Sequence, residues 1–253
     1  MKWMLPIIAV ATALFGDIYE VCSIKLMDKF REEGVLFIYD IDNTLITLDQ
    51  MLGTDQWFLS RLDQLKKEMK DPQKALNKAL TEWTAVQCIS KVREVEEGSS
   101  AMIKSQQEDG VMCMALTTRG LAISDRTVDQ IHFIGVDFTV TAPFKGNLVF
   151  HTTDTIIYKD GILFNSATHK GDALVEFFRQ IDFIPKKVVF INDKHKHLAS
   201  VEEGCNRLGI PFVGLRVNYL DKVVASFDPQ IAKVQADTFF NILSDAQAAL
   251  MIK

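Results

Sequence analysis

Cysteine is scarce, with four in 253 residues. Cys22, Cys88, Cys113 and Cys205 are too few and too widely spaced for a disulfide scaffold. Basic residues do not dominate either. Lysine and arginine total 28 against 33 acidic residues, a net charge of −5. No global positive field draws such a chain to nucleic acid or anionic lipid. Beyond residue 16 no apolar run nears the ~20 residues that a membrane-spanning helix needs. Internal repeats and low-complexity segments are missing. So are the dinucleotide glycine fingerprint, the Walker phosphate loop and the His-Glu-x-x-His zinc motif. What remains is 48% apolar and 24% charged, the composition of a soluble globular protein. That excludes a disordered chain, a collagen and a coiled coil. The length suits one domain, or one domain with a sizeable insert.

The amino terminus is the compositional exception. Lys2 precedes an uncharged run from Trp3 to Phe15, which stops at Gly16-Asp17. A basic start, a short apolar run and small residues near its end read as a secretory signal peptide. Ala11-Thr12-Ala13 offers a cleavage triplet, and a cut nearer Gly16 is equally open. The competing reading is a buried first helix. The expectation is export, periplasmic or secreted, after loss of residues 1–16, with no membrane span in the mature chain. Export permits disulfides, but nothing in the sequence demands one. Cys113 sits in an apolar run and reads as a buried core thiol.

From Gly34 onward, strands and helices alternate. Val35–Tyr39, Val111–Leu116, Val188–Ile191 and Phe212–Leu215 are continuous apolar runs, the pattern of strands buried on both faces of a parallel sheet. Ala173, Phe177 and Ile181 repeat at helical spacing, as do Leu198, Val201, Cys205 and Leu208, with Gly209 as a stop. Alternation of this kind predicts an α/β doubly wound parallel sheet. About 70 residues separate the first two strands, too many for one crossover. They carry one stripe at Phe58, Leu62, Leu65 and Met69. A second runs through Leu76, Ala79, Leu80, Trp83 and Val86, with Asp71 as N-cap and Pro72 at the first helical position. A further helix spans about Ser99 to Glu108. Residues 51–97 are therefore expected to form a small helical insert, and residues 17–50 and 98–253 the α/β core. A longer helical layer of the same domain is the alternative. Tyr158-Lys159-Asp160-Gly161-Ile162 predicts a hairpin on an Asp-Gly turn.

The chemistry gathers where the first strand ends, at Asp40-Ile41-Asp42-Asn43-Thr44. Residues two apart on a strand share a face, and ligands of open α/β sheets bind at the carboxyl ends of strands. Two adjacent carboxylates need a cation or a shared proton. An EF-hand loop fits poorly, because Leu45 stands where it needs glycine and Met51 where it needs glutamate. A plain capped turn is one reading; a Mg²⁺ site with an aspartate nucleophile is another. Attack on a phosphate dianion sets like charges together, costing about 1 kcal/mol per pair at 4 Å in water and about 4 at an effective dielectric of 20. A divalent cation, a lysine, a third acid and a hydroxyl are then required nearby. Thr117-Thr118-Arg119, Lys170 and Asn192-Asp193 supply them, each at the matching end of its element. Taken singly, Thr117 suits a cap, Asp193 a helix N-cap, and Lys170 a solvated surface position.

This ordered set resembles the haloacid dehalogenase-like (HAD) superfamily, whose four motifs match Asp40–Thr44, Thr117, Lys170 and Asn192-Asp193. The resemblance spans residues 35–216. Met51-Leu52-Gly53-Thr54-Asp55-Gln56-Trp57 also resembles an uncharacterised, exported bacterial branch of that superfamily. The resemblance implies a HAD-like, Rossmannoid core with a helical cap inserted after the first strand. It implies Asp40 as the nucleophile of an aspartyl-phosphate and Asp42 as the acid/base. Thr117 and Lys170 would orient and neutralise the phosphoryl group. Mg²⁺ would be held by Asp40, Asp42 through its backbone carbonyl, and Asp193. Asp42 is absent from dehalogenase members and so favours phosphoryl transfer. Two departures are visible: Asn192 replaces the usual first acid of the fourth motif, and His197 stands where an acid or amide is common.

The function expected is a Mg²⁺-dependent phosphatase acting on a small phosphorylated substrate. Thr118 and Arg119 are candidates for contact with it, and a salt bridge at the sheet edge is the other role open to Arg119. The altered fourth motif leaves a second reading: a secreted HAD-fold binding or host-interaction module with vestigial catalysis, its protein partner unknown. Phosphotransfer to an acceptor alcohol is a third. Trp57 and Trp83 are expected to fill the cap core, and Lys194-His195-Lys196-His197 to form a solvated first turn.

Overall fold

Val35–Tyr39 becomes a central strand with every residue buried, because both faces of the sheet carry helices. The computed structural model describes residues 17–238 and 243–252; the export signal expected over residues 1–16 lies outside them. The first half comprises β1 (Asp17–Val21), a 3-10 segment (Ile24–Phe30), β2 (Val35–Tyr39), β3 (Ile46–Leu48), α1 (Asp55–Glu68), α2 (Pro72–Ile89) and β4 (Val92–Glu94). Then follow α3 (Ser99–Glu108), β5 (Met112–Thr117), α4 (Ser124–Phe133), β6 (Leu148–His151), β7 (Thr155–Lys159) and β8 (Ile162–Phe164). The chain closes with α5 (Lys170–Gln180), β9 (Lys187–Asn192), α6 (His195–Leu208), β10 (Phe212–Val217), α7 (Asp221–Ala225), α8 (Pro229–Asp237) and α9 (Asp245–Ala249). Among the described residues no helix is long and apolar enough to cross a membrane.

The large sheet runs β1-β10-β9-β2-β5-β8-β7-β6. From β1 to β8 the pairing is parallel. At one edge β8, β7 and β6 pair antiparallel, and the expected Asp160-Gly161 turn joins β7 to β8 with both residues at positive φ, 48° and 77°. Alternation along β2 sorts its side chains into two layers. Val35, Phe37 and Tyr39 pack with Ile24, Met102, Ile103 and Val128. Leu36 and Ile38 pack with Ala173, Phe177, Leu198 and Val201 from α5 and α6. This is the doubly wound arrangement that the apolar runs predicted. Cys113 is fully buried, and all four cysteines are free.

The helices between β2 and β5 are bracketed by a two-stranded antiparallel ribbon, β3 with β4, which pairs Ile46 with Glu94 and Leu48 with Val92. Asp71 caps α2 as expected, its carboxylate accepting from the Gln73 and Lys74 amides at 3.0 and 3.2 Å, with Pro72 at the first position. Leu65, Ala75 and Ala79 are buried between α1 and α2. The expected stripe of α1 holds, with Phe58, Leu62 and Met69 half-buried against that cluster, while the stripe of α2 needs correction at Leu80. Trp57 and Leu65 are the buried residues of α1. Those of α2 are Ala75, Ala79, Trp83, Val86 and Gln87, while Leu80 is 44% exposed. A second contact explains the rotation: Trp57, Trp83, Leu52 and Val86 also pack against Ile123 of the core and Ala232 of α8.

Candidate active site

The carboxyl ends of β2, β5 and β9 converge on one edge of the sheet, and each brings a polar residue. The Asp40 amide donates to the Ile191 carbonyl at 3.0 Å, prolonging the β2–β9 ladder past Tyr39. The chain then turns sharply: the Ile41 carbonyl accepts from the Leu45 and Ile46 amides at 2.9 and 3.0 Å, and Asn43 takes φ 60°. Ile41 is buried in the core, so Asp40 and Asp42 emerge on the opposite side, as their spacing predicted.

Asp40 is 6% exposed. Its Oδ1 accepts from the Lys170 ammonium, and its Oδ2 faces the Thr44 hydroxyl at 3.5 Å. Lys170 is not a solvated surface residue. It opens α5 at 2% exposure, and its Nζ also donates to the Leu116 carbonyl at 2.8 Å. Gly171 makes this possible. A Cβ there would lie 1.9 Å from the Ser200 carbonyl oxygen, so only glycine lets α5 approach α6 this closely beside the site. Burial pushes the Asp40 proton affinity up, against the opposing pull of Lys170.

Asp42 points into a different neighbourhood. Arg119 grips it with two parallel bonds, Nε to Oδ2 at 2.9 Å and Nη2 to Oδ1 at 2.7 Å. The guanidinium is itself buried and lies over the Trp83 ring at 5.4 Å. Its Nη1 donates to Thr127 Oγ1 at 3.1 Å and Gln130 Oε1 at 2.6 Å. Burial alone would raise the Asp42 pKa, but the Arg119 charge and hydrogen bonds win and hold it below the ordinary value. The salt bridge open to Arg119 thus exists, with an acid of the site as its partner. Thr117 is buried, and its hydroxyl accepts from the Arg119 amide at 3.2 Å. Thr118 is exposed on the wall of a pocket that also touches Asp42.

Asp193 does not cap α6, whose N-cap is Lys194 without a side-chain bond. Its Oδ1 is buried with no hydrogen-bond partner among the described residues. Its backbone carbonyl is tied by Arg216 at 3.0 Å and its amide donates to Thr44 Oγ1 at 3.1 Å. Burial first, and the nearby Asp40 charge second, push its pKa up to about 7. The basic run that follows is solvated only in part. His195 and Lys196 are exposed, but Lys194 reaches back to Asp55 of α1. Burial works against the Lys194 charge, yet Asp55 and Asp193 outweigh it and raise its pKa. Burial, then Lys170 and Lys194, lower His197 to about 3, so it is neutral. The Lys194–Asp55 pair was missed from sequence. Its only signal was a lysine directly after Asp193, and its partner lies 139 residues away.

Among the described residues, no three acidic, histidine or cysteine side chains are gathered into a metal-binding group. The donors nonetheless suit Mg²⁺, which binds through one or two carboxylates and keeps waters or phosphate oxygens in its other positions. Asp193 Oδ1 is an orphaned, buried acceptor beside the Asp40 carboxylate, and a buried unpaired carboxylate calls for a cation. The Asp42 side chain is engaged by Arg119, which leaves its backbone carbonyl for that role.

Comparison with known proteins finds a relative in Chlamydia pneumoniae named "Putative outer membrane protein", 26% identical over 94% of this chain and 88% of its own length. An uncharacterised protein of Rickettsia prowazekii is 26% identical over 92% of this chain and 89% of its own length. Among solved structures, a haloacid dehalogenase-like family hydrolase of Streptococcus pneumoniae aligns with 78% of this chain and all of its own, at 12% identity and a TM-score of 0.43. A protein-family model described as "Protein of unknown function (DUF2608)" matches residues 12–249, nearly the whole length, and the chain belongs to that family.

Proposed function

We propose that the chain is an exported phosphomonoester hydrolase that works through a phosphoryl group carried on Asp40, with Mg²⁺ as its cofactor. The observation that carries this reading is the buried Asp40 carboxylate, paired with Lys170 and set beside the unpartnered Asp193. Asp40, Asp193 and the Asp42 backbone carbonyl would hold the metal, which when bound offsets the charge of the phosphoryl oxygens. Lys170 would contribute a second positive charge at the same oxygens, with the Thr44 hydroxyl 3.5 Å from Asp40 and the Thr117 hydroxyl assigned to orient them. Asp40 attacks phosphorus, a P–O bond to its carboxylate forms, and the bond to the substrate alcohol breaks. Water then attacks the aspartyl-phosphate and releases phosphate. Asp42 takes the proton of that water, a task suited to a carboxylate kept ionised by Arg119. To protonate the leaving oxygen in the first step, Asp42 must leave the Arg119 fork and take up a proton from solvent, which it gives to the alcohol and regains from the attacking water in the second step. Residues 51–97 serve as the cap in this reading, since Trp83 and Asp55 reach Arg119 and Lys194. The relatives named for the outer membrane support the exported part.

With Mg²⁺ present, the parent chain should release phosphate from a generic aryl phosphate, and Asp40→Asn should lower kcat at least about a thousandfold. Undiminished turnover in that variant would sink the mechanism. A second reading, a binding module with vestigial catalysis, is favoured by neutral His197 at the fourth motif. It predicts slow phosphate release from every ester tried, so brisk turnover of a cellular phosphate ester removes it.

A further inference from the structure

A pocket of about 390 Å³ opens directly beside Asp42 and Arg119. Its walls come from α1, α2 and the loop after β5. Phe58, Leu80, Trp83, Leu121 and Ile123 are its large apolar side chains, and Thr84 and Thr118 are the only uncharged polar side chains beside them. Two of these stand at odds with their surroundings: Leu80 is 44% exposed and Leu121 62% exposed. Large apolar residues that face water around a concavity mark a surface that a ligand covers. The charged groups on the wall are already engaged. Arg119 is filled by Asp42, and Asp55 by Lys194. No cation of the lining is left for a second phosphate or a carboxylate, and two threonine hydroxyls among five large apolar side chains are too few to satisfy a polyhydroxylated ring. A larger hollow of about 590 Å³ lies between α1, α2 and α8, but it touches none of the site acids.

We infer that the substrate is a phosphomonoester whose alcohol portion is an apolar, uncharged group seated among Phe58, Leu80, Trp83, Leu121 and Ile123. This rests on the hydrolase reading above and narrows it from any phosphate ester to one class. The pocket works as a hydrophobic sieve. It gains from each methylene or ring buried, and it offers a sugar or a nucleotide little in return.

The experiment separates binding from turnover. Calorimetry with Mg²⁺ compares 3-phenylpropylphosphonate with 3-hydroxypropylphosphonate, both inert to hydrolysis. Phosphate release compares 2-phenylethyl phosphate with glycerol 3-phosphate and glucose 6-phosphate, all esters of primary alcohols and so matched in leaving-group chemistry. The apolar member of each set should be favoured by at least about tenfold in Kd and in kcat/KM. Leu80→Gln and Leu121→Gln add polarity without charge at exposed positions, and each should bring the binding ratio close to one. Equal affinity for the two phosphonates, a ratio that survives both substitutions, or preferred turnover of glucose 6-phosphate overturns the pocket. Selective binding of the apolar phosphonate with no phosphate released from any ester upholds the pocket and removes the hydrolase reading.

Discussion

Two carboxylates two positions apart face opposite fates here. Asp40 is paired with a buried lysine, whereas Asp42 sits in the fork of a buried arginine. Removing one member of a buried pair leaves the other charge uncompensated, at a cost of about 3–5 kcal/mol. Asp42 keeps a quarter of its side chain exposed, so Arg119→Ala should cost less, about 1–3 kcal/mol, read as a lowered midpoint in urea, because Asp42 and Gln130 both lose their donor. Arg119→Lys restores a charge but not the two parallel bonds, and should recover only part of the loss. The spacing of Asp40 and Asp42, the strand before them and the order of Thr117, Lys170 and Asp193 were legible in the sequence, because each depends on local pattern. A salt bridge was among the roles open to Arg119, but Asp42 as its partner was not legible, nor was the Lys194–Asp55 pair. Each joins distant segments, and which side chains meet depends on how α1, α2 and the loop after β5 settle against the core.

Among the elements, those buried on both faces were the readable ones. β2, β5, β9 and β10 each contain a continuous apolar run, and α2 carries its cap and proline in plain view. β3 and β4 were unreadable, being three residues each and partly exposed. β1 was hidden for another reason: as an edge strand it buries only Val21, so Asp-Ile-Tyr-Glu-Val shows no apolar face. The tightest fit between elements is that of α5 with α6 at Gly171 and Gly204, where an added Cβ would meet backbone at 1.9 and 2.8 Å. Gly171→Ala should cost about 1–3 kcal/mol in denaturant. Because it pushes the start of α5 away, it should also lower kcat by drawing Lys170 off Asp40.

For the whole molecule, the site acids tie stability to pH. Asp193 has its pKa raised to about 7 in the fold. Between about pH 4 and 7 the folded chain keeps a proton that the unfolded chain has released, so stability falls as pH rises through that window. The penalty above pH 7 reaches at most about 4 kcal/mol, at about 1.4 kcal/mol per tenfold change in proton affinity. His197 acts in the opposite sense. Its folded pKa is lowered to about 3, so its contribution is present above about pH 6.5 and is lost as pH falls toward 3. The two slopes offset each other below pH 6.5, so the Asp193 effect is read as a difference. Asp193→Asn should be more stable than the parent at pH 8 without Mg²⁺, and the gap should narrow by pH 5 and close below about pH 4. Millimolar Mg²⁺ should raise the parent Tm more at pH 8 than at pH 5 and leave the variant unmoved; thermal denaturation across pH measures both.

The pairing of β1 with β10 sets Asp17 opposite Val213. The first strand of the described residues is therefore among the last to find its place. It must wait until nearly the whole chain is available, and the closure joins residues far apart in sequence, a slow kind of contact to form. Until then the outer edge of β10 is an open row of backbone donors and acceptors, able to template a foreign strand. A chain built this way completes its sheet as a finished length and not while it is still emerging.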